Sequence, residues 1–395
     1  MKIINLFGLY PKELFAELSS NSKSKMDFAA NNLQEAMIKG YEATNADYYI
    51  INAPFIGAWP LYYRKIFIKG CCSIKRKITS IRYLNVALIK RWDMLKRVRK
   101  TLFDYLKKQP VEPIVILFYN FNFVSLAKEV KEKYPHVKTC LLVTDLPEYM
   151  ASNSRSIVSR LNKFFTREST SYAKYIDGYV LLAERMKERL PVGDSRYHIM
   201  EGIYNSDDLD SNANVGEKKV ILYTGNMDPR YGIEDLVNAF SLIDDPNIEL
   251  WLRGDGVLCN LVQKRAEIDC RIKIIERLSR SELLRLERRS TILVNPVHSS
   301  EEFTDFFFPS KTMEYLASGT PTLMCRLGCL PPEYHEHLYF FESEDVEGMA
   351  STMRNLCNKD KEELDGFGMK AKNFIINEKN PKVQISKLVS FFECL

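Results

Sequence analysis

The nine cysteines of this chain are scattered and include no Cys-x-x-Cys pair. That argues against a disulfide framework and against a zinc ribbon, and it fits a reducing cytoplasm. Histidine is scarce too, with five dispersed copies. His335 and His337 flank Glu336 after a Pro-Pro turn, and they read as a solvated loop, not a metal site. No apolar run is long enough to cross a bilayer. The first residues, MKIINLFGLYPKELF, have no charged leader region and no small-residue cleavage site, so they read as a first strand, not a signal peptide. No Gly-x-Gly-x-x-Gly follows that strand, which argues against a nicotinamide-dependent dehydrogenase. Repeats and low-complexity segments are also missing.

What is present is the composition of a globular protein. The 395 residues are 46% hydrophobic and 27% charged, enough for two or three domains with real cores. The net charge of +5 is unevenly spread. Residues 64–108 carry fifteen Lys/Arg against Asp93 and Asp104, a local +13, so the remainder sums to −8. Within that segment, KRVRKTLFDYLKK adjoins Ile78, Ile81, Tyr83, Leu84 and Val86 to Ile89. Apolar residues interleaved with cations fit an amphipathic surface element facing an anionic membrane or a lipid diphosphate. A solvated basic helix is the plainer alternative. No recognised nucleic-acid module is present.

Apolar, β-branched runs fall into two sets. The first is KIINLFG, DYYIINAP, PIVILFYN, KTCLLVTD, DGYVLLA and YHIMEGI; the second is KVILYTG, IELWLRG, IKIIERL, TILVNP, TPTLMC and a weaker YFF. Helical stretches such as FAANNLQEAMIKG, FVSLAKEVKEKY, IEDLVNAFSLI and RSELLRLERRS alternate with them. This pattern predicts parallel α/β sheets covered on both faces. The polar stretch at 205–219 separates the sets and reads as a linker. The expected division is an acceptor-side Rossmann-like domain over 1–205, a linker over 206–218 and a nucleotide-sugar-binding Rossmann-like domain over 219–378. A terminal helix over 379–395 then packs back on the first domain. Two such domains would face a cleft, with ligands outside the carboxyl ends of the strands.

Several strand ends carry candidate chemistry. KVILYTG ends at Gly225, where a backbone can approach a phosphate, and Arg230 in the following loop could supply charge. The plainer reading is a tight turn with a solvated Arg. IELWLRG ends in Arg253-Gly254-Asp255-Gly256, and IKIIERL ends at Glu276-Arg277-Leu278, where a base edge could meet backbone groups. FPSKTMEYLASGTP (308–321) predicts a helix stopped by Gly319 and Pro321. Ser310 and Lys311 then stand at its positive end, with Glu314 one turn on. Met313, Leu316 and Ala317 form its core face. The alternative is an ordinary surface Lys-Glu pair.

In order and spacing these stations resemble retaining glycosyltransferases of the GT-B fold, family 4. The stations are Gly225, Gly254-Asp255-Gly256, Asn295-Pro296, Glu314 and Ala317-Ser318-Gly319-Thr320-Pro321. The resemblance is close over residues 219–325 and loose before. It implies that Glu314 holds the ribose and that Ser310 and Lys311 hold the diphosphate of a nucleotide-sugar donor. Gly225, Asn226, Arg253, Arg277 and Leu278 would line the same site, and Gly8 would face the donor from the first domain. The chain departs from the pattern at four places. Phe306 stands where the family has its first Glu, with Asp305 adjacent. Asn226 replaces an Arg, Tyr231 a Lys, and Thr144 the His of a His-Asp strand end. Arg230 and Lys311 are the substitute cations for the leaving diphosphate. Asp145, at the Asp place, either contacts the acceptor hydroxyl or caps the following turn.

The expected activity is sugar transfer with retention from a nucleotide diphosphate-sugar to a glycan acceptor, lipid-linked, in cell-surface polysaccharide synthesis. The expected place is the cytoplasmic face of a membrane, gripped by Lys96, Arg97, Arg99 and Lys100. The resemblance implies no metal requirement, which the absence of an Asp-x-Asp triad from the loops of the cleft agrees with, and no resident cofactor is expected. Rival readings are a 2-epimerase on the same fold and a non-catalytic sugar-nucleotide-binding or assembly subunit.

Overall fold

The computed structural model describes residues 1–24, 26–109, 113–146, 171–205 and 218–395. The chain divides into two compact units, Met1–Ile203 with Pro381–Leu395, and Tyr204–Asn380. The linker assigned to 206–218 lies, except for Lys218, outside the described residues.

The first unit is built on β1 (Lys2–Phe7), β2 (Asp47–Asn52), β3 (Phe67–Ile68), β4 (Cys71–Ser73), β5 (Ile78–Ser80), β6 (Tyr83–Leu84), β7 (Ile114–Tyr119), β8 (Lys138–Val143), β9 (Gly178–Leu181) and β10 (Arg196–Ile199). Eight of these form one sheet in the order β10-β9-β8-β7-β1-β2-β5-β4, parallel except for β4; β3 and β6 form a separate antiparallel pair. Strand β7 is buried along its whole length and β1 at all but its first residue, as expected where helices cover both faces. The helices are α1 (Phe15–Asn21), α2 (Phe28–Ala43), α3 (Lys90–Leu106) and α4 (Leu126–Lys133). Asp27 starts α2 by accepting from the Ala30 N–H at 3.0 Å.

Residues 64–108 are not one amphipathic element. Four short strands occupy 67–84, and only 90–106 is helical. Ile68, Ile78 and Ile81 are buried there, so they cannot join Ile74, which is 94% exposed, in one surface stripe.

The second unit carries β11 (Lys219–Asn226), β12 (Ile248–Asp255), β13 (Ile272–Ile274), β14 (Ile292–Asn295), β15 (Thr322–Met324) and β16 (Tyr339–Phe340). They form an all-parallel sheet in the order β13-β12-β11-β14-β15-β16. That is the doubly wound order, which reverses between the first and fourth strands, here β11 and β14. The helices are α5 (Ile233–Ser241), α6 (Cys259–Ile268), α7 (Arg280–Arg289), α8 (Ser310–Ser318), α9 (Val346–Cys357) and α10 (Lys361–Glu378).

The chain ends in α11 (Pro381–Glu393), which packs on α2 within the first unit. Ile385, Leu388 and Phe392 enter that core. A Cβ on Gly40 of α2 would stand 2.2 Å from Ile385, so a glycine sets how closely the two helices pack.

His337 corrects the solvated-loop expectation. It is buried, and its ring stacks on Phe374 with centroids 4.3 Å apart. Its neighbour His335 is half-buried and lies edge-on to Phe340.

Candidate active site

The carboxyl ends of β11, β12 and β14 and the start of α8 form the candidate site of the second unit. Gly225 closes β11, and Asn226 beside it is exposed, its carbonyl accepting from the Tyr223 hydroxyl at 2.8 Å. The glycines of Gly254-Asp255-Gly256 answer to packing. A Cβ on Gly254 would lie 1.8 Å from the Gly225 carbonyl oxygen, and one on Gly256 2.3 Å from that of Met227. Gly232 (φ +68°) starts α5 in the left-handed region, and a Cβ there would lie 2.0 Å from the Pro296 carbonyl oxygen.

Helix α8 begins after Pro309, which offers no side-chain cap, so its first N–H groups point outward beside the exposed Ser310. Gly319 ends it at φ +84°. Glu314 is not a surface residue: 14% of its side chain is exposed. Its Oε1 accepts from Lys311 Nζ at 2.5 Å and its Oε2 from Arg280 Nη1 at 3.2 Å. Behind it lies Glu287 of α7, wholly buried. Glu287 Oε1 accepts from Thr224 Oγ1 at 3.1 Å and stands 3.7 Å from Lys311 Nζ. The Tyr315 hydroxyl locks Thr224 in turn, meeting its N–H at 2.8 Å and its Oγ1 at 3.1 Å.

The two carboxyls behave oppositely. Burial and then the Glu314 charge push Glu287 up to about 8. Burial also pushes Glu314 up, but the charge and bond of Lys311, with Arg280 behind them, outweigh it and hold Glu314 below the usual carboxylate range.

The expected cations separate. Lys311 is shared by Glu314 and Glu287. Arg230 is turned onto Asp228, Nε to Oδ1 3.1 Å, and lies over the Phe303 ring. Arg253, at the end of β12, has no carboxylate partner among the described residues, and its Nε is buried without a hydrogen bond. Arg277 is exposed just beyond β13, and Leu278 beside it is half-buried. Phe306, at the place of the missing acid, is buried.

At the β14 end, His298 Nε2 meets Asp235 Oδ2 at 2.8 Å and its Nδ1 lies 3.5 Å from Glu344, which also accepts the Ser299 N–H at 2.8 Å. With Cys325, these His298 and Glu344 atoms lie within 4.8 Å of one another. His298 already has Asp235 as its hydrogen-bond partner, and Glu344 has the Ser299 N–H.

In the first unit, Gly8 follows β1. Its N–H donates to Gln34 Oε1 at 2.8 Å, and a Cβ there would run into the Phe55 ring at 2.3 Å. Thr144 is buried and bound to Asn120, its N–H reaching Oδ1 at 2.8 Å and its Oγ1 accepting from Nδ2 at 2.8 Å. The neighbouring Asp145 is in an exposed position and accepts from Thr144 Oγ1 at 3.1 Å. Protein atoms nevertheless crowd its carboxyl, and that crowding, ahead of the Asp27 charge, raises its pKa against the Thr144 bond. On α3, Arg97 pairs with Asp93 at 2.8 Å and Arg99 grips Glu129 through two bonds of 2.8 and 2.9 Å. Lys96 lies over the Trp92 ring. With Lys100, Lys107 and Lys133 these cations line a groove of about 490 Å³.

Sequence reasoning missed Glu287, Arg280, Thr224 and Tyr315. One signal was available: Glu287 follows Leu284 by three residues, in line with the apolar stripe of RSELLRLERRS.

Residues 218–359 match the family described as glycosyl transferases group 1. No curated protein sequence matches the chain. Among solved structures, sucrose-phosphate synthase from Thermosynechococcus elongatus is similar over 100% of both chains at 13% identity, with a TM-score of 0.65. HepE from Anabaena, in complex with UDP, covers 100% of both chains at 10% identity and 0.63. The catalytic domain of starch synthase IV from Arabidopsis thaliana, bound to ADP and acarbose, is similar over 100% of this chain and 99% of its own at 7% identity and 0.62. Two Rossmann-like sheets, a matching domain over 218–359 and this company of folds lead to one conclusion: the second unit carries a glycosyl transferases group 1 domain, and the chain has the GT-B fold.

Proposed function

We propose that the protein transfers a sugar, with retention, from a nucleotide diphosphate-sugar to a lipid-linked glycan acceptor in cell-surface polysaccharide synthesis. One observation carries the donor half of this reading. An uncapped helix start at Ser310 lies one turn before Glu314, a carboxylate already held ionised by Lys311 and Arg280. Free N–H groups suit a diphosphate, and an ionised carboxylate suits a pair of ribose hydroxyls. Gly225, Asn226 and Leu278 line the donor. Arg253 and Arg277 supply the cations that meet the departing diphosphate, and Lys311 and Arg230 act from within their ion pairs. HepE with UDP and starch synthase IV with ADP show that folds of this kind hold nucleoside diphosphates with different bases. The reading needs no metal, because protein cations take the charge.

Asp145 contacts the acceptor hydroxyl. The acceptor is brought to the protein at the cytoplasmic face of the membrane. Leu88 and Trp92, 84% and 63% exposed, precede the cations Lys96, Arg97, Arg99 and Lys100 on the same segment, a pairing suited to an anionic surface. Among the described residues no helix is long and apolar enough to cross a membrane.

The test is incubation with UDP-, GDP-, CDP- and ADP-sugars and an extracted lipid-linked glycan. Release of nucleoside diphosphate with an α-linked product from an α-linked donor is the expected result. No release from any of the four with any acceptor fraction would sink the reading, and an inverted product would sink retention alone.

A further inference from the structure

Glu287 is a carboxyl buried where charge is costly. Its Oε1 has Thr224 and, further off, Lys311, but its Oε2 is buried and meets no donor. Lys311 Nζ, 3.7 Å from Glu287 Oε1 and 2.5 Å from Glu314 Oε1, lies between the two carboxyls and brings them together. Two ionised carboxylates there would repel, and the orphaned oxygen would remain unsatisfied. A single proton on Glu287 removes both costs, converting the repulsion into a charge-assisted O–H···O bond to Glu314. The surroundings decide which acid owns the proton. Lys311 and Arg280 bond Glu314 directly, whereas Glu287 sits deeper, with Thr224 of β11 and Tyr315 of α8 on its other side. Arg288 of α7 and the Tyr204 hydroxyl complete the titratable and charged groups about the pair.

We propose that Glu287 is a positioning residue of the donor site: a buried carboxylic acid that donates to Glu314 and, with Lys311, fixes the Glu314 carboxylate in the orientation that receives the ribose hydroxyls. This rests on the ribose role of Glu314 proposed above. It makes ribose recognition depend on a proton that the ligand never touches. When Glu287 ionises, Lys311 is drawn between two charges and Glu314 loses its fixed donor.

The experiment takes the tightest binder among UDP, GDP, CDP and ADP by calorimetry, together with its 2′,3′-dideoxy counterpart. The readout is the ratio of the two affinities. Glu287→Leu should shrink that ratio by about ten- to a hundredfold, the value of a bond to a charged group, while leaving the dideoxy affinity unchanged. Glu287→Gln keeps a neutral N–H donor and should preserve the ratio. The wild-type ratio should fall as pH rises past about 8, and that of Glu287→Gln should not. A folded Glu287→Leu variant with the wild-type ratio overturns the proposal. So does a Gln variant whose ratio declines with pH as the wild type's does, and this second arm serves if the Leu variant does not fold. Glu314→Gln separates the two levels. If it keeps the ratio, the ribose role itself fails; if it loses the ratio while Glu287→Leu keeps it, the ribose role stands and Glu287 is merely structural.

Discussion

The two sheets of this chain are wound alike and finished differently. In each, the first strand lies inside the sheet, the next strands build to one side, and the chain then crosses to the other. In the first unit the carboxyl ends of the strands are tied by neutral groups: Gly8 to Gln34, Thr144 to Asn120, Asn52 to the Leu9 carbonyl. In the second they hold a charged cluster, Glu287, Glu314, Lys311 and Arg280. Amide latches stiffen a crevice without favouring any charge in it. A cluster whose burial is already offset by its own ion pairs presents a fixed field to a polar ligand. The same winding therefore serves two tasks, and the side chains at the strand ends assign them.

The largest test of this contrast is at Arg253. With no carboxylate partner among the described residues, it should meet charge that grows as the sugar leaves in the proposed transfer. Arg253→Ala is expected to lower turnover about a hundred- to a thousandfold with little change in KM. Steady-state kinetics with the accepted donor reads it, and a raised KM at normal turnover would make Arg253 a ground-state clamp.

The glycines after β1 and within β12 sharpen the comparison through stability. A Cβ on Gly254 meets a backbone carbonyl, which cannot step aside, whereas one on Gly8 meets the Phe55 ring, which can turn. Gly254→Ala should cost about 3 kcal/mol and Gly8→Ala about 1 kcal/mol. Urea unfolding measures both; equal losses would mean that the Phe55 ring is as fixed as backbone.

The charged crevice should make folding depend on pH through a fully buried acid. Glu287 binds its proton more tightly folded than unfolded. Its stabilising share is therefore complete below the unfolded value of about 4.3 and is lost as pH rises through about 8. Wild-type stability should fall across that window relative to Glu287→Gln. Parallel stability curves for the two proteins would show that Glu287 is not held neutral.

The smallest effect belongs to the basic helix of the first unit. Lys96 and Lys100 have no carboxylate partner among the described residues, while Arg97 and Arg99 are committed to Asp93 and Glu129. Removing Lys96 and Lys100 should weaken binding to anionic vesicles by about 1 kcal/mol each, and removing the two arginines by less. Sedimentation with phosphatidylserine vesicles at low salt distinguishes these, and four equal losses would mean that bulk charge alone matters.

Legibility followed the same divide. The long strands could be read because burial on both faces demands unbroken apolar runs, and Gly319 and Pro321 marked the end of α8 through backbone geometry alone. Charge was harder to read. Lys90 counted toward the basic segment, yet it is half-buried, donates to the Ile56 carbonyl and is pushed down to about 8 by the desolvation of its ammonium. The short strands over 67–84 were hidden because two- and three-residue strands leave no periodic pattern.

By itself the sequence determined the parallel α/β class, the long strands and the helix carrying Ser310, Lys311 and Glu314, because periodicity and backbone preference are local properties. Only the tertiary structure decided what those residues do to one another. Lys311 of α8 bonds Glu314 and lies near Glu287 of α7, Thr224 reaches Glu287 from β11, and Gly254 is a glycine because the Gly225 carbonyl lies against it. Burial and distance set a carboxyl's charge, and neither exists until distant segments pack together.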